Sequence, residues 1–352
     1  MVCRGRVPCT LPTPENGATT VRAVRVASPN VIEIADVPEP DRGGAVLIRA
    51  RTVGICGTDV KVLTGAIPVH YPLIMGHEMI GEVVSAPDGC FVQAGDRVLV
   101  DPASTCGWCD LCRRGRGHLC RNAGLMGREV PGVFAEYIRL PETQVLSVPA
   151  DLPDAAAGVL QVLGTCVHAQ RAVDVFPGQV AAVVGLGVAG QLMVQLLRER
   201  GISVVGITRS DWKRDLAARN GAVATASPAE SAELVAELTD GRGADLVVEA
   251  AGTERTLALS IELAGIGGEV VLFGTLTGGS EGLPYYQLYF KELTIRNPRA
   301  ALPGDYAAGI DLAATGRLDL ASIVTHQLSF EEAAEAFELV VDPSSLKVLM
   351  HV

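Results

Sequence analysis

The chain has 352 residues, 48% of them hydrophobic and 4% aromatic, and carries a formal net charge of −11 at pH 7. That length accommodates two domains with cores of their own, and an acidic balance without any basic block excludes nucleic acid or an anionic membrane surface as the main partner, leaving small molecules. No apolar run of about eighteen residues occurs, and residues 1–20 lack an apolar central stretch, so neither a membrane span nor a signal peptide is predicted and the chain is expected in the cytoplasm.

Residues 1–20, rich in Pro, Thr, Asn and Gly and containing Cys3 and Cys9, read as a mobile N-terminal tail without function. Residues 21–150 then alternate short β-rich runs with Gly, Pro and Asp, and strands are predicted at 21–27, 45–50, 80–85, 97–100 and 134–140. The expected product is a mainly β domain of partly open barrel type.

Two groups of metal-ligating side chains fall inside this domain. Cys106, Cys109, Cys112 and Cys120 lie close enough for one loop to wrap four thiolates around a tetrahedral Zn²⁺, leaving no position for substrate. Nine cysteines are an odd number for a disulfide framework, and four at this spacing indicate a reducing compartment and a structural zinc rather than a redox centre. Trp108 is expected to pack the lobe or to stand at its rim near a neighbouring subunit. Cys56, His77 and Glu78 supply soft, borderline and hard donors from separate segments, as an open catalytic zinc site requires.

From residue 151 to 297 the texture changes to apolar β runs alternating with Ala- and Leu-rich helical stretches, the pattern of βαβ units building a parallel sheet. Strands are predicted at 180–184, 203–208, 244–250, 269–274 and 293–297. The first runs directly into Gly185, Leu186, Gly187, Val188, Ala189 and Gly190 and a helical run over 191–200. The first glycine permits the tight turn, the second a close approach of backbone to a pyrophosphate, and the third close helix packing, so the turn is expected to bind a dinucleotide. The second strand ends in Thr208, Arg209 and Ser210, where a carboxylate would bind a ribose 2′-hydroxyl. An Arg between two hydroxyls, with Lys213 adding charge, favours a 2′-phosphate, hence NADP over NAD; the alternative is that Arg209 stacks on adenine as an ordinary cation while Asp211 caps the next helix. The chain closes with a helix over 305–315, another opening at Ser329 with Glu332 completing a capping box, and a strand over 347–352.

The segments Gly54, Cys56, Gly57, Thr58 and Asp59, then Gly76, His77, Glu78 and Gly81, then Gly95, Asp96, Arg97 and Val98, together with the cysteine lobe and the glycine turn, resemble the zinc-dependent medium-chain dehydrogenase/reductase family of alcohol and polyol dehydrogenases. The resemblance implies an α/β protein: a GroES-like β-rich catalytic domain over residues 21–150 and 298–352, a Rossmann doubly wound parallel sheet over 151–297, and an active site in the cleft between them. It implies Cys56 and His77 as ligands of a catalytic zinc, Glu78 as ligand or exchanging neighbour, Thr58 as the hydroxyl passing the substrate proton to solvent, and Asp59 as the partner orienting His77. It also implies a homodimer or homotetramer, with the edge strand 293–297 extending the sheet across a two-fold axis.

One position departs from the family pattern. Gln161 stands where a Cys, Asp or Glu ligand is usual, and a neutral amide is a poor zinc donor. In a helix Gln161, Thr165 and His168 share a face, Cys166 points elsewhere, and His168 reads as a packed core residue. The expected activity is hydride transfer between NADP(H) and a secondary alcohol or ketone, on a polyol-like or natural-product substrate lined by residues near Thr58, Tyr71, Trp108 and 285–290. Two alternatives stay open in the sequence: a zinc-independent NADPH reductase of a C=C or C=N bond, and a non-catalytic NADP-binding protein.

Overall fold

The computed structural model describes residues 19–40, 44–276 and 282–352. The expected tail, with Cys3 and Cys9, lies outside the described residues except for Thr19 and Thr20, and Thr20 already begins a strand. Two compact units form. The first takes the residues up to Gln161, Leu302–Ala314 and Val324–Val352; the second takes Val162–Ala301 and Thr315–Ile323.

In the first unit the apolar alternation of Val46–Ile55, Met79–Ser85 and Arg97–Val100 builds the centre of a seven-stranded sheet. Its order is Val145–Ser147, Arg97–Val100, Met79–Ser85, Val46–Ile55, Lys347–His351 and Val324–Ser329, with Tyr137–Leu140 also paired to Val46–Ile55. Thr20–Ser28 forms a smaller sheet with Val31–Pro38 and Leu73–Ile74. Between them the core gathers Ile48, Val53, Met75, Val83, Phe134, Phe337, Val348 and Met350, with the rings of Phe134 and Phe337 edge to face at 6.4 Å. Emptying a ring position such as Phe134 would cost about 3–5 kcal/mol.

The second unit is a six-stranded parallel sheet in the order Ala224–Ala226, Ser203–Ile207, Val180–Val184, Ala244–Glu249, Ala264–Leu272 and Thr294–Arg296. That is the doubly wound order, in which the strand sequence reverses beside the first strand. All five residues of Val180–Val184 are buried, as expected of a strand covered on both faces. The helix Val188–Glu199 buries polar Gln191 and Gln195 as well as Leu192, Met193 and Leu196. Each glutamine is satisfied: Gln191 Nε2 donates to Lys213 O at 2.8 Å, and Gln195 both donates to Asp319 O and accepts from Asp319 N. This second pair explains why Thr315–Ile323 belongs with the second unit, although the sequence placed everything after 297 in the first.

Strand positions depart from expectation where register, not hydrophobicity, decides. The strand predicted at 269–274 starts five residues earlier, at Ala264, and Val31–Pro38, Ala224–Ala226 and Val324–Ser329 were not foreseen. Val31–Pro38 is half exposed, so its pattern is too polar to read alone. Ser329 and Glu332 do form the capping box, and Ala333–Val340 follows as a helix.

Candidate functional site

The loop after Ala103–Ser104 brings the four lobe sulfurs within 4.8 Å of one another. Separations of 3.4 Å for Cys106 to Cys120, 3.9 Å for Cys109 to Cys120 and 4.0 Å for Cys106 to Cys112 straddle the edge of about 3.8 Å that a tetrahedron with Zn–S near 2.3 Å demands. Backbone N–H groups point at the sulfurs: Cys109 N donates to Cys106 Sγ, and Cys106 N and Asn122 N to Cys120 Sγ. Burial raises the Cys106 thiol, but donors from Asn122, Trp108 and Cys109 outweigh it and bring it down to about 6. The donor set therefore fits a closed zinc site. Trp108 is 61% exposed, which fits a rim position better than lobe packing.

The second group assembles on the central sheet. Cys56 is the N-cap of the short helix Gly57–Leu63, and Asp59 in its first turn accepts from Cys56 N through Oδ2 at 2.8 Å. The other oxygen of the same carboxylate, Oδ1, lies 3.2 Å from His77 Nδ1, so one buried aspartate sets both the cap and the imidazole. With Nδ1 turned to Asp59, the ring's Nε2 is left for a metal. Burial alone would lower His77, but the Asp59 carboxylate and the Cys56 sulfur hold it well above its usual value. Cys56, His77 and Glu78 place one donor atom each within 4.8 Å of the others.

Glu78 has a partner that sequence reasoning missed. Lys347, on the Lys347–His351 strand, donates to Glu78 Oε2 at 2.5 Å and to Ile55 O at 3.0 Å, and both side chains are buried. Gly54 makes the space: a Cβ there would lie 2.7 Å from Lys347 Cε and 2.9 Å from Glu78 Oε2. Glu78 Oε1 is buried with no hydrogen-bond partner. An orphaned carboxylate oxygen beside a sulfur and an imidazole fits a divalent zinc, which is the test the donor set has to pass.

Gln161, in the first turn of the Leu160–Arg171 helix, is buried, and its Nε2 lies 3.4 Å from the hydroxyl of Tyr306, another residue the sequence did not single out. Burial, and then the charge of Asp101, push the Tyr306 hydroxyl far above its ordinary value. Thr58 and Thr165 are half buried, and Thr165 Oγ1 donates to Val162 O. Cys166 is fully buried, its Sγ directed at Ala189 O, and among the described residues it belongs to neither group of metal-ligating side chains. His168 is half buried, not the core residue expected. Tyr71 donates its hydroxyl to Val62 O, so its polar end is spent on the backbone.

In the second unit Gly185 has φ +99°, and a Cβ on it would meet Ala251 at 2.8 Å; a Cβ on Gly190 would meet Gly185 O at 1.9 Å. Gly187, the N-cap of Val188–Glu199, faces nothing within 4 Å. Two glycines are thus dictated by the protein's own packing. The third leaves open space at a helix N-terminus, the place a pyrophosphate would take, with Leu186 buried behind it and Val188 and Ala189 in the first turn.

At the end of Ser203–Ile207, Arg209 is exposed between half-buried Thr208 and Ser210. Asp211 does not cap the helix Asp211–Arg219; Ser210 stands at the N-cap, and Asp211 pairs with Arg214 at 2.6 Å. Arg214, which the sequence reading passed over, also donates to Thr208 O at 2.8 Å. Lys213 turns to the Trp212 ring, 5.1 Å from its centroid.

Comparison with known proteins decides the lineage. A family model for the alcohol dehydrogenase GroES-like domain matches residues 42–150, and one for zinc-binding dehydrogenases matches 188–315. An L-threonine 3-dehydrogenase of Sinorhizobium medicae is 33% identical over 325 residues, covering 89% of this chain and 93% of its own. The chain belongs to the zinc-dependent medium-chain dehydrogenase/reductase family. It is a zinc-type, NAD(P)-dependent dehydrogenase. Among solved structures, a zinc-binding dehydrogenase of Sinorhizobium meliloti 1021 bound to NADP is similar to this medium-chain dehydrogenase with TM-score 0.88 and 32% identity, covering 95% of this chain and all of its own. The alcohol dehydrogenase TADH of Thermus sp. ATN1 gives TM-score 0.87 and 31% identity over 94% of this chain and 99% of its own. Among the described residues no helix of this dehydrogenase is long and apolar enough to cross a membrane.

Proposed function

We propose that this cytoplasmic dehydrogenase holds two zinc ions, one structural and one catalytic, and moves hydride between NADP(H) and a secondary alcohol or its ketone on a polyol-like or natural-product substrate. The observation that carries the reading is the convergence of Cys56, His77 and Glu78 within 4.8 Å, with Glu78 Oε1 buried and unpartnered. When bound there, zinc supplies a Lewis acid that polarises the substrate oxygen. Cys56 and His77 hold it, Asp59 orients His77, and Gln161 adds a weak amide donor or a hydrogen bond beside it. Thr58, two residues after Cys56, takes the substrate's hydroxyl proton and passes it to solvent. Curated relatives named L-threonine 3-dehydrogenase carry, by that name, a reaction at a carbon bearing a secondary hydroxyl, in keeping with this substrate class.

The NADP preference rests on exposed Arg209 between two hydroxyls, on Asp211 being taken up by Arg214, and on NADP in the Sinorhizobium meliloti relative. The homo-oligomer is proposed to form through the helix Tyr285–Phe290, where Tyr285, Tyr286, Tyr289 and Phe290 are exposed, and the neighbouring edge strand Thr294–Arg296.

The test is metal analysis and cofactor titration of freshly purified protein. Two zincs per chain and tighter binding of NADPH than NADH are expected. Arg209→Ala should raise the KM for NADP by about ten- to a hundredfold, the loss of one charge-assisted phosphate contact, with little effect on NAD. Zinc confined to the four-cysteine lobe would sink the alcohol chemistry.

A further inference from the structure

The carboxyl end of the Ala244–Glu249 strand holds a group that the chemistry above does not use. Glu249 is fully buried in the second unit. Its Oε1 accepts from Ala251 N at 2.9 Å and from Gly252 N at 2.8 Å, while Oε2 is buried without a hydrogen-bond partner. The backbone around it is tied across three strand ends: Phe273 N and Gly274 N donate to Glu249 O, and Ala250 N donates to Val184 O, one residue before the glycine turn.

These ties leave almost no slack. A Cβ on Gly185 would lie 2.8 Å from both Cβ and N of Ala251, and a Cβ on Gly274 would lie 2.3 Å from Gly252 N and 2.5 Å from Glu249 Oε2. Ala251 itself is exposed, at the carboxyl edge of a doubly wound sheet beside the point where strand order reverses, which is where such sheets bind ligands. A leucine would fill the same buried space without stranding a polar oxygen, so the carboxyl is retained for the two N–H groups it fixes.

We propose that Glu249 is a positioning residue for the dinucleotide: by clamping Ala251 N and Gly252 N it fixes the 250–252 turn against Gly185 and Gly274, and so holds rigid the floor on which the cofactor lies. The proposal rests on the dinucleotide reading of the Gly185–Gly190 turn. Glu249 touches no reacting atom and acts through the turn, so it governs cofactor affinity and not the hydride step.

Full-length, zinc-loaded wild type, Glu249→Gln and Glu249→Leu would be titrated with NADPH by fluorescence and assayed at saturating cofactor. Hydrogen exchange at the Ala251 and Gly252 amides would be followed in the apo wild type. Glu249→Leu should weaken NADPH binding about tenfold or more, the scale of a small misplacement of a binding element, with kcat changed less than about threefold. Glu249→Gln keeps an oxygen for the two N–H groups and should restore affinity to near wild type. The two amides should exchange far more slowly than exposed turn amides. Wild-type affinity in folded Glu249→Leu, a Gln variant as impaired as the Leu variant, or freely exchanging amides in the wild type would each overturn the proposal. A wild type that binds neither NADPH nor NADH while its amides are protected would instead overturn the dinucleotide reading and, with it, the role of the clamp in binding.

Discussion

The two sulfur-containing sites of the first unit are built in opposite ways. The lobe draws four identical donors from one short loop and steadies them with neighbouring backbone N–H groups, so nearly everything it needs is local. The Cys56 group draws three different donors from a helix cap and from the loop just before the Met79–Ser85 strand. It steadies them with charged side chains, and Lys347 is 269 residues away from the Glu78 it holds. A site made of neighbours can be closed and insensitive to the rest of the chain. One made of distant groups is adjustable, because one of its donors, Glu78, shares its carboxylate between a buried ammonium and the metal position.

The sharpest way to break this contrast is to damage each site in turn. Cys109→Ser should cost the lobe its metal and most of its order, since structural zinc contributes on the order of 10 kcal/mol to folding such loops. One zinc per chain should disappear and the thermal transition should fall steeply. His77→Ala strands the buried Asp59 carboxylate and should lower the transition by far less than the lobe variant, yet lower kcat/KM by about a thousandfold, roughly 4 kcal/mol of transition-state stabilisation. If instead the lobe variant kept its stability and the His77 variant unfolded, the assignment of structural and catalytic roles would be reversed.

Lys347→Met probes the competition directly. Removing one partner of a buried pair strands the other, at a cost of about 3–5 kcal/mol. The loss, read by denaturant unfolding, should be larger after chelation than in zinc-loaded protein, where Glu78 can turn to the cation. Equal losses in both states would mean that Glu78 never contacts metal.

The smallest effect concerns Asp101, whose carboxyl burial pushes up to about 6 from 3.8, against a hydrogen bond from Ala103 N that lowers it. Here the folded state binds the proton more tightly than the unfolded chain. Stability is therefore highest below about pH 4 for this group and declines as pH rises to about 6, by at most about 3 kcal/mol. Asp101→Asn should flatten that slope and stabilise the protein at pH 7; an unchanged slope would show that Asp101 is already ionised when folded.

The same contrast governs what the sequence could reveal. The lobe, the glycine turn and the Ser329 capping box were legible because spacing alone defines them. Cys56, His77 and Glu78 were legible as residue types whose convergence needs the sheet. Lys347, Tyr306, Arg214 and Glu249 were not, because each is an ordinary residue in an ordinary run until the fold gives it a partner. The assignment of Thr315–Ile323 failed for a related reason: two hydrogen bonds between Gln195 and Asp319 leave no trace in local pattern. Trp108 left two outcomes open, since an aromatic inside a cysteine loop can pack the loop or stand at its rim, and its exposure fits the rim.

Gly54 carries a consequence of its own. The gap it leaves is filled by an ammonium that is translated only after residue 346, so during synthesis Glu78 waits as a lone acid on a half-made sheet. Until that strand docks, Glu78 lacks its ammonium partner, so a cation from solution and the late-arriving Lys347 meet the same carboxylate at its two oxygens.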